Sequence, residues 1–87
     1  MPSEYLIIGK EYCGFCANSK KLLDSKSIEY TYADIQDINS ADVAALQEVA
    51  KVESFRTVPQ IFKYKVGGGL EYIGGYTELA ESFRSKQ

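Results

Sequence analysis

Leu6-Ile7-Ile8-Gly9-Lys10-Glu11-Tyr12-Cys13-Gly14-Phe15-Cys16 is the stretch that decides the fold. A short apolar run ends at a glycine and is followed four residues later by a C-x-x-C pair. The pair in turn opens a lysine-rich amphipathic segment from Ala17 to Lys26. Tyr5 to Gly9 reads as a buried strand, because the run is short, almost wholly apolar and closed by glycine. The pair then stands at the start of a helix. Residues at i and i+3 on a helical turn lie about 5–6 Å apart, within the roughly 4.4–6.8 Å Cα separation that a disulfide requires. The first cysteine meets the unpartnered N–H groups and the positive end of the helix dipole, which favour a thiolate. Cys13 is therefore the expected nucleophile and Cys16 the resolving thiol behind it.

Other uses of a C-x-x-C pair fit less well. A structural zinc site takes four Cys or His ligands, and this chain has 2 cysteines and no histidine. As a purely structural staple the pair would close too short a loop to remove much unfolded-state entropy. Dithiol redox chemistry is the reading the strand–CxxC–helix context supports.

Length and composition agree with one small globular domain covering residues 1–87. The chain is 45% hydrophobic and 25% charged, with a net charge of −2, which leaves no basic footprint for nucleic acid or an anionic membrane surface. No apolar run approaches a membrane span. The first residues, Met1-Pro2-Ser3-Glu4, lack the basic and apolar regions of a signal peptide. A reducing, cytoplasmic compartment is expected, where such a pair cycles between thiol and disulfide.

Beyond the first strand and helix, Ile28, Tyr30 and Tyr32 alternate with polar neighbours in a strand pattern. Asn39 or Ser40 caps a second helix, with Val43, Leu46, Val49 and Ala50 at helical spacing. Ile61 to Val66 is rich in strand formers, Gly67-Gly68-Gly69 makes a turn, and Leu70 to Ile73 returns as a hairpin partner. Gly74-Gly75 ends the sheet and Thr77 is expected to cap a last helix, with Glu78 in its first turn. The order β-α-β-α-β-β-α gives an α/β fold, a mixed four-stranded sheet flanked by helices on both faces.

Four separated signals carry a resemblance over essentially the whole chain: Lys10 three residues before the first cysteine; Cys13-Gly14-Phe15-Cys16; Arg56-Thr57-Val58-Pro59; and Gly74-Gly75-Tyr76-Thr77-Glu78-Leu79. In that order and at about that spacing they resemble the glutaredoxins, of the thioredoxin-like superfamily. The resemblance implies a glutathione-dependent disulfide oxidoreductase with glutathione as co-substrate. It also implies a cis bond at Val58–Pro59, which would turn the Val58 backbone toward the cysteines so that a cysteinyl segment pairs with it like an added strand. Lys10 and Arg56 are similar to the family's cations for the glycyl carboxylate. Phe15, Thr57, Gly75 and Tyr76 fall among its glutathione contacts. Thr77 offers N–H groups to the γ-glutamyl carboxylate, and Glu78 faces the ammonium.

The middle of the motif departs from the family's common CPYC: Phe15 lacks the tyrosine hydroxyl, and Gly14 leaves a backbone N–H beside the thiols. Gly-Phe is the pair of the CGFS glutaredoxins, which carry iron–sulfur clusters. A second reading follows from it, a dimer bridging one [2Fe–2S] cluster through two Cys13 thiolates and two glutathiones. The second cysteine and the short spacing from Lys10 to Cys13 favour the dithiol class. Expected partners are glutathionylated or disulfide-containing proteins, with ribonucleotide reductase among the clients the family suggests. The chain is expected to be a monomer unless a cluster bridges it.

Overall fold

The computed structural model describes residues 3–84. The elements are β1 (Tyr5–Gly9), α1 (Gly14–Ser25), β2 (Tyr30–Asp34), α2 (Ser40–Ala50), β3 (Gln60–Tyr64), β4 (Leu70–Gly74) and α3 (Tyr76–Arg84), with a 3-10 turn over Ile35–Asp37 after β2. The sheet runs β2-β1-β3-β4, with β1 parallel to β2 and antiparallel to β3, and β3 antiparallel to β4. This is the expected mixed four-stranded sheet of a thioredoxin-like fold.

Alternation along β1 divides the core in two. Tyr5 and Ile7 pack with Leu23, Ile61 and Leu79 on the face covered by α1 and α3. Ile8 packs with Phe62 and Leu46 on the face covered by α2. Leu23, Ile61, Phe62 and Leu79 are wholly buried, and each contributes about 1.5–3 kcal/mol relative to an exposed side chain. The opposed helices thereby hold β1 and β3, the two central strands, in fixed register. The site is built at the ends of those strands.

Three boundaries differ from the sequence expectations. The strand after α1 begins at Tyr30, not Ile28. Ser27, at φ 57°, turns the chain left-handed, and the Ser27 and Ile28 N–H groups return to the Asp24 and Leu23 carbonyls. Ile28 thus completes the helix end, a Schellman closure. β3 stops at Tyr64, leaving Val66 fully exposed; the N–H of Lys65 donates to the Gly69 carbonyl to close the hairpin. Its three glycines, at φ 91°, 112° and 87°, occupy backbone space other residues rarely adopt. The third boundary is the start of α3, at Tyr76 and not after a Thr77 cap. The Gly75 carbonyl accepts the Leu79 N–H, the first bond of that helix. Glu78 reaches back to the Gly75 N–H at 2.7 Å, half of a capping box. Thr77 therefore sits inside the first turn.

Candidate functional site: a cysteine pair between a groove and a charged cavity

Cys13 is the residue that caps α1. Its backbone is extended, at φ −112° and ψ 108°, and its carbonyl accepts the Ala17 N–H. Its Sγ accepts the N–H of Cys16 at 3.2 Å, one of the donors that a helix start leaves without an internal partner. Cys13 and Cys16 are joined as a disulfide with Cα atoms 5.2 Å apart, in the range expected from the spacing. The two are unequal. Cys13 is half-buried, whereas Cys16 is 1% exposed, so a solvent-borne partner reaches only the first. Behind them the fully buried Ser19 hydroxyl donates to the Phe15 carbonyl at 2.8 Å.

The loop entering β3 brings the second part of the site. The Val58–Pro59 bond is cis, as the family resemblance implies, and the Val58 carbonyl oxygen lies 3.7 Å from Cys13 Sγ. A polar chain braces this loop from below. The Gln60 amide donates to the Thr57 carbonyl at 2.8 Å and its oxygen accepts the Tyr72 hydroxyl at 2.6 Å. Both ends of a side chain only 7% exposed are thus satisfied. Burial, and then the nearby Glu78 carboxylate, raise the Tyr72 phenol above its ordinary pKa and keep it a donor.

Phe15, Thr57, Val58, Pro59, Gly75, Tyr76, Thr77 and Glu78 line one groove of about 280 Å³. Phe15 and Tyr76 stack across it, ring centroids 6.1 Å apart and planes at 25°, linking the start of α1 to the start of α3. A Cβ at Gly75 would stand in ordinary contact with the Pro59 carbonyl oxygen, at 3.7 Å, and close to Glu78 Oε1, at 3.3 Å.

The two predicted cations lie elsewhere. Lys10 lines a separate cavity of about 400 Å³ with Glu11, Tyr12, Cys13, Gly14, Cys16, Ala17, Lys20, Tyr32 and Asp34. Arg56 borders a depression of about 420 Å³ that meets the groove at Thr57. Cys13 thus stands between a groove walled by backbone and aromatic rings and a cavity carrying two lysines and two carboxylates, Glu11 and Asp34.

The sequence reading missed Gln60, Tyr72 and Tyr32. A signal existed for the first: a polar residue two positions before Phe62, and so on the same face of the strand as that buried ring. The reach of the two tyrosine hydroxyls depends on pairing between distant strands and left no local trace.

A [2Fe–2S] cluster takes four thiolate ligands, and this chain supplies 2 cysteines. Among the described residues no group of three or more His, Cys, Asp or Glu converges. The donor set does not fit a cluster held within one chain.

A thioredoxin-like fold with a redox-capable cysteine pair at the start of α1 and a cis-proline beside it defines the class. Comparison with known proteins narrows it. The glutaredoxin family model matches residues 6–68, so the chain belongs to the glutaredoxin family, in its dithiol form. A castor bean (Ricinus communis) glutaredoxin is 33% identical over 70 residues, covering 80% of this chain; the chain spans 63% of that relative's length. Among solved structures, a buckwheat glutaredoxin–glutathione complex superposes with a TM-score of 0.70 at 30% identity, over 95% of this chain and 70% of that one. Reduced Escherichia coli glutaredoxin gives a TM-score of 0.67 at 32% identity, over 93% of each chain.

Proposed function

We propose that this protein is a glutathione-dependent thiol–disulfide oxidoreductase that reduces protein–glutathione mixed disulfides and protein disulfides. The observation that carries the reading is the place of Cys13 Sγ. It accepts the Cys16 N–H, lies 3.7 Å from the Val58 carbonyl, and stands at a groove suited to an extended peptide. Family membership and the similarity to the buckwheat glutaredoxin–glutathione complex support the choice of thiol.

The Cys13 thiolate attacks the glutathione sulfur of a mixed disulfide. A Cys13–glutathione disulfide forms, the old S–S bond breaks, and the protein thiolate leaves to take a proton from water. The thiolate of a second glutathione then attacks the bound glutathione sulfur, releasing oxidised glutathione and regenerating the Cys13 thiolate. For a protein disulfide, Cys13 attacks one protein sulfur and displaces the other as a thiolate; Cys16 then attacks Cys13 Sγ, displacing the second protein thiolate and closing the Cys13–Cys16 disulfide, which two glutathiones reduce with release of oxidised glutathione. The Val58 backbone pairs with the cysteinyl segment, as in strand addition. The free N–H groups at the start of α3 receive the γ-glutamyl carboxylate, and Phe15 and Tyr76 wall the groove. Glu78 is already engaged to the Gly75 N–H through Oε1, and its other oxygen faces the ammonium. Lys10 beside Cys13 and Arg56 beyond Thr57 supply the cationic groups for the remaining carboxylate.

Serine substitutions test the assignment. Cys13→Ser should abolish both reductions, because serine is not ionised at neutral pH. Cys16→Ser should keep deglutathionylation, which glutathione itself resolves, and lose much of the reduction of protein disulfides. Preferential alkylation of Cys16 by iodoacetamide, or full activity in Cys13→Ser, would overturn the mechanism.

A further inference from the structure

Between β1 and Cys13 the chain crosses the surface as Lys10, Glu11 and Tyr12, all exposed. Tyr12 sits at φ 59°, a left-handed conformation unfavourable for a bulky side chain. Tyr32 reaches this crossing from β2, at the Lys10 carbonyl. In the parallel pairing of β1 with β2, Tyr32 stands opposite Ile7 and Asp34 opposite Gly9. Tyr32 packs on the Tyr5–Ile7 face of the sheet, and its phenol leans past Gly9 to donate to the Lys10 carbonyl at 3.3 Å. Gly9 makes that reach available. A Cβ there would overlap the Tyr32 hydroxyl and come within 3.0 Å of Cys16 Sγ. The ring is steadied from the helix side, where the Lys20 ammonium lies 4.3 Å from its centroid. Burial first, and the Asp34 carboxylate second, raise the phenol above its ordinary pKa, so it stays a donor at neutral pH.

We propose that Tyr32 is a positioning residue for this site. Its hydroxyl fixes the Lys10 backbone, and that anchor aims the Lys10 ammonium into the cavity beside Cys13. The inference rests on the reading of Lys10 as a cation for the carboxylate of a glutathionyl group. A tyrosine that served only to pack against β1 would need its ring but not its hydroxyl, and this difference is measurable.

Tyr32→Phe keeps the ring, its volume and the contact with Lys20, and removes only the hydroxyl. Steady-state reduction of a glutathionylated peptide is compared in the wild type, Tyr32→Phe, Lys10→Ala and the double variant. Thermal unfolding is followed by circular dichroism to check the fold. The expected result is a KM raised about two- to tenfold in Tyr32→Phe, as loss of one hydrogen bond predicts, with kcat within about twofold. In the Lys10→Ala background the same substitution should change KM little, because its effect passes through Lys10. An unchanged KM in Tyr32→Phe, or effects that multiply in the double variant, overturns the positioning role alone. An unchanged KM in Lys10→Ala removes the carboxylate role of Lys10, and the positioning role falls with it. The cysteine assignments would still stand or fall on the serine variants.

Discussion

Gln60 is the residue whose removal should unfasten the groove without touching it. Its side chain is 7% exposed, with its amide on the Thr57 carbonyl at 2.8 Å and its oxygen under the Tyr72 hydroxyl at 2.6 Å. Gln60→Leu conserves volume and deletes both bonds. A net hydrogen bond is worth about 0.5–1.5 kcal/mol, and a buried group left unpaired costs about 1–3 kcal/mol. Thr57 is exposed, so water recovers much of its carbonyl's loss, while the half-buried Tyr72 hydroxyl recovers less. The added apolar contact of leucine offsets part of the sum. A net loss of about 1–3 kcal/mol follows, a large fraction of the roughly 4–13 kcal/mol available to a domain of this length. Tyr72→Phe should cost about 1 kcal/mol, since it strands the Gln60 oxygen in the interior. Combined, the two should cost less than their sum by about 1 kcal/mol, because removing both partners leaves no orphan between them. Urea denaturation followed by circular dichroism measures all four proteins. KM for a glutathionylated peptide should rise in Gln60→Leu, as the Thr57 carbonyl loses its tether. Costs that add to within about 0.3 kcal/mol, or a Gln60→Leu protein as stable as the wild type, would refute the bracing role.

Two further outcomes follow from local geometry and burial. Gly14 is the first residue of α1 and a Cβ there meets open space. Cys13 already has the extended backbone that proline requires of its predecessor. Gly14→Pro should therefore fold normally and gain about 0.4–1 kcal/mol in urea denaturation, by restricting the unfolded chain. Tyr5, Tyr30, Tyr32 and Tyr72 all have pKa values raised above 10.0, chiefly by burial. The fold favours the neutral phenol, so this contribution is complete below pH 10 and is lost as pH rises through the folded values. Urea midpoints should fall above about pH 10, and the fall should be shallower in Tyr72→Phe.

What could be read in the sequence is what local chemistry determines. The apolar run at Leu6-Ile7-Ile8 and the pair after it placed β1 and the start of α1, because burial and capping act within a few residues. Eight of the residues expected to touch glutathione, from Phe15 to Glu78, line a single groove. They belong to three short motifs whose spacing survives folding. Errors arose where a side chain acts across a boundary. Thr77 looked like the cap of α3, but Glu78 reaches back to the Gly75 N–H and starts the helix earlier. Ile28 looked like a strand residue, but the left-handed Ser27 spends it on closing α1. The family resemblance pairs Lys10 with Arg56 for one carboxylate, and the fold sets them at two neighbouring depressions. Nothing within either motif encodes their relative placement, since the antiparallel pairing of β1 with β3 is what brings both to the same end of the sheet.

The same topology explains why the two cysteines, three residues apart, differ in what they can do. β1 ends at Gly9, and three exposed residues then lift the chain over the edge of the sheet, so Cys13 arrives at the helix start with its Sγ toward the Val58 carbonyl. One turn later α1 has settled onto the sheet, and Cys16 is buried against the position a Gly9 Cβ would fill. Reaction with an outside disulfide is therefore open to Cys13 and closed to Cys16. The one sulfur Cys16 meets without unfolding is the one on Cys13. In the proposed mechanism, burial accounts for the order of events, with outside attack at Cys13 first and internal resolution by Cys16 second. The Cys16 N–H, donated to Cys13 Sγ at 3.2 Å, then marks that sulfur as the one at the helix start. A glycine at the end of β1 is the common condition for both effects. It admits Cys16 to the sheet surface and admits the Tyr32 hydroxyl to the loop that carries Cys13.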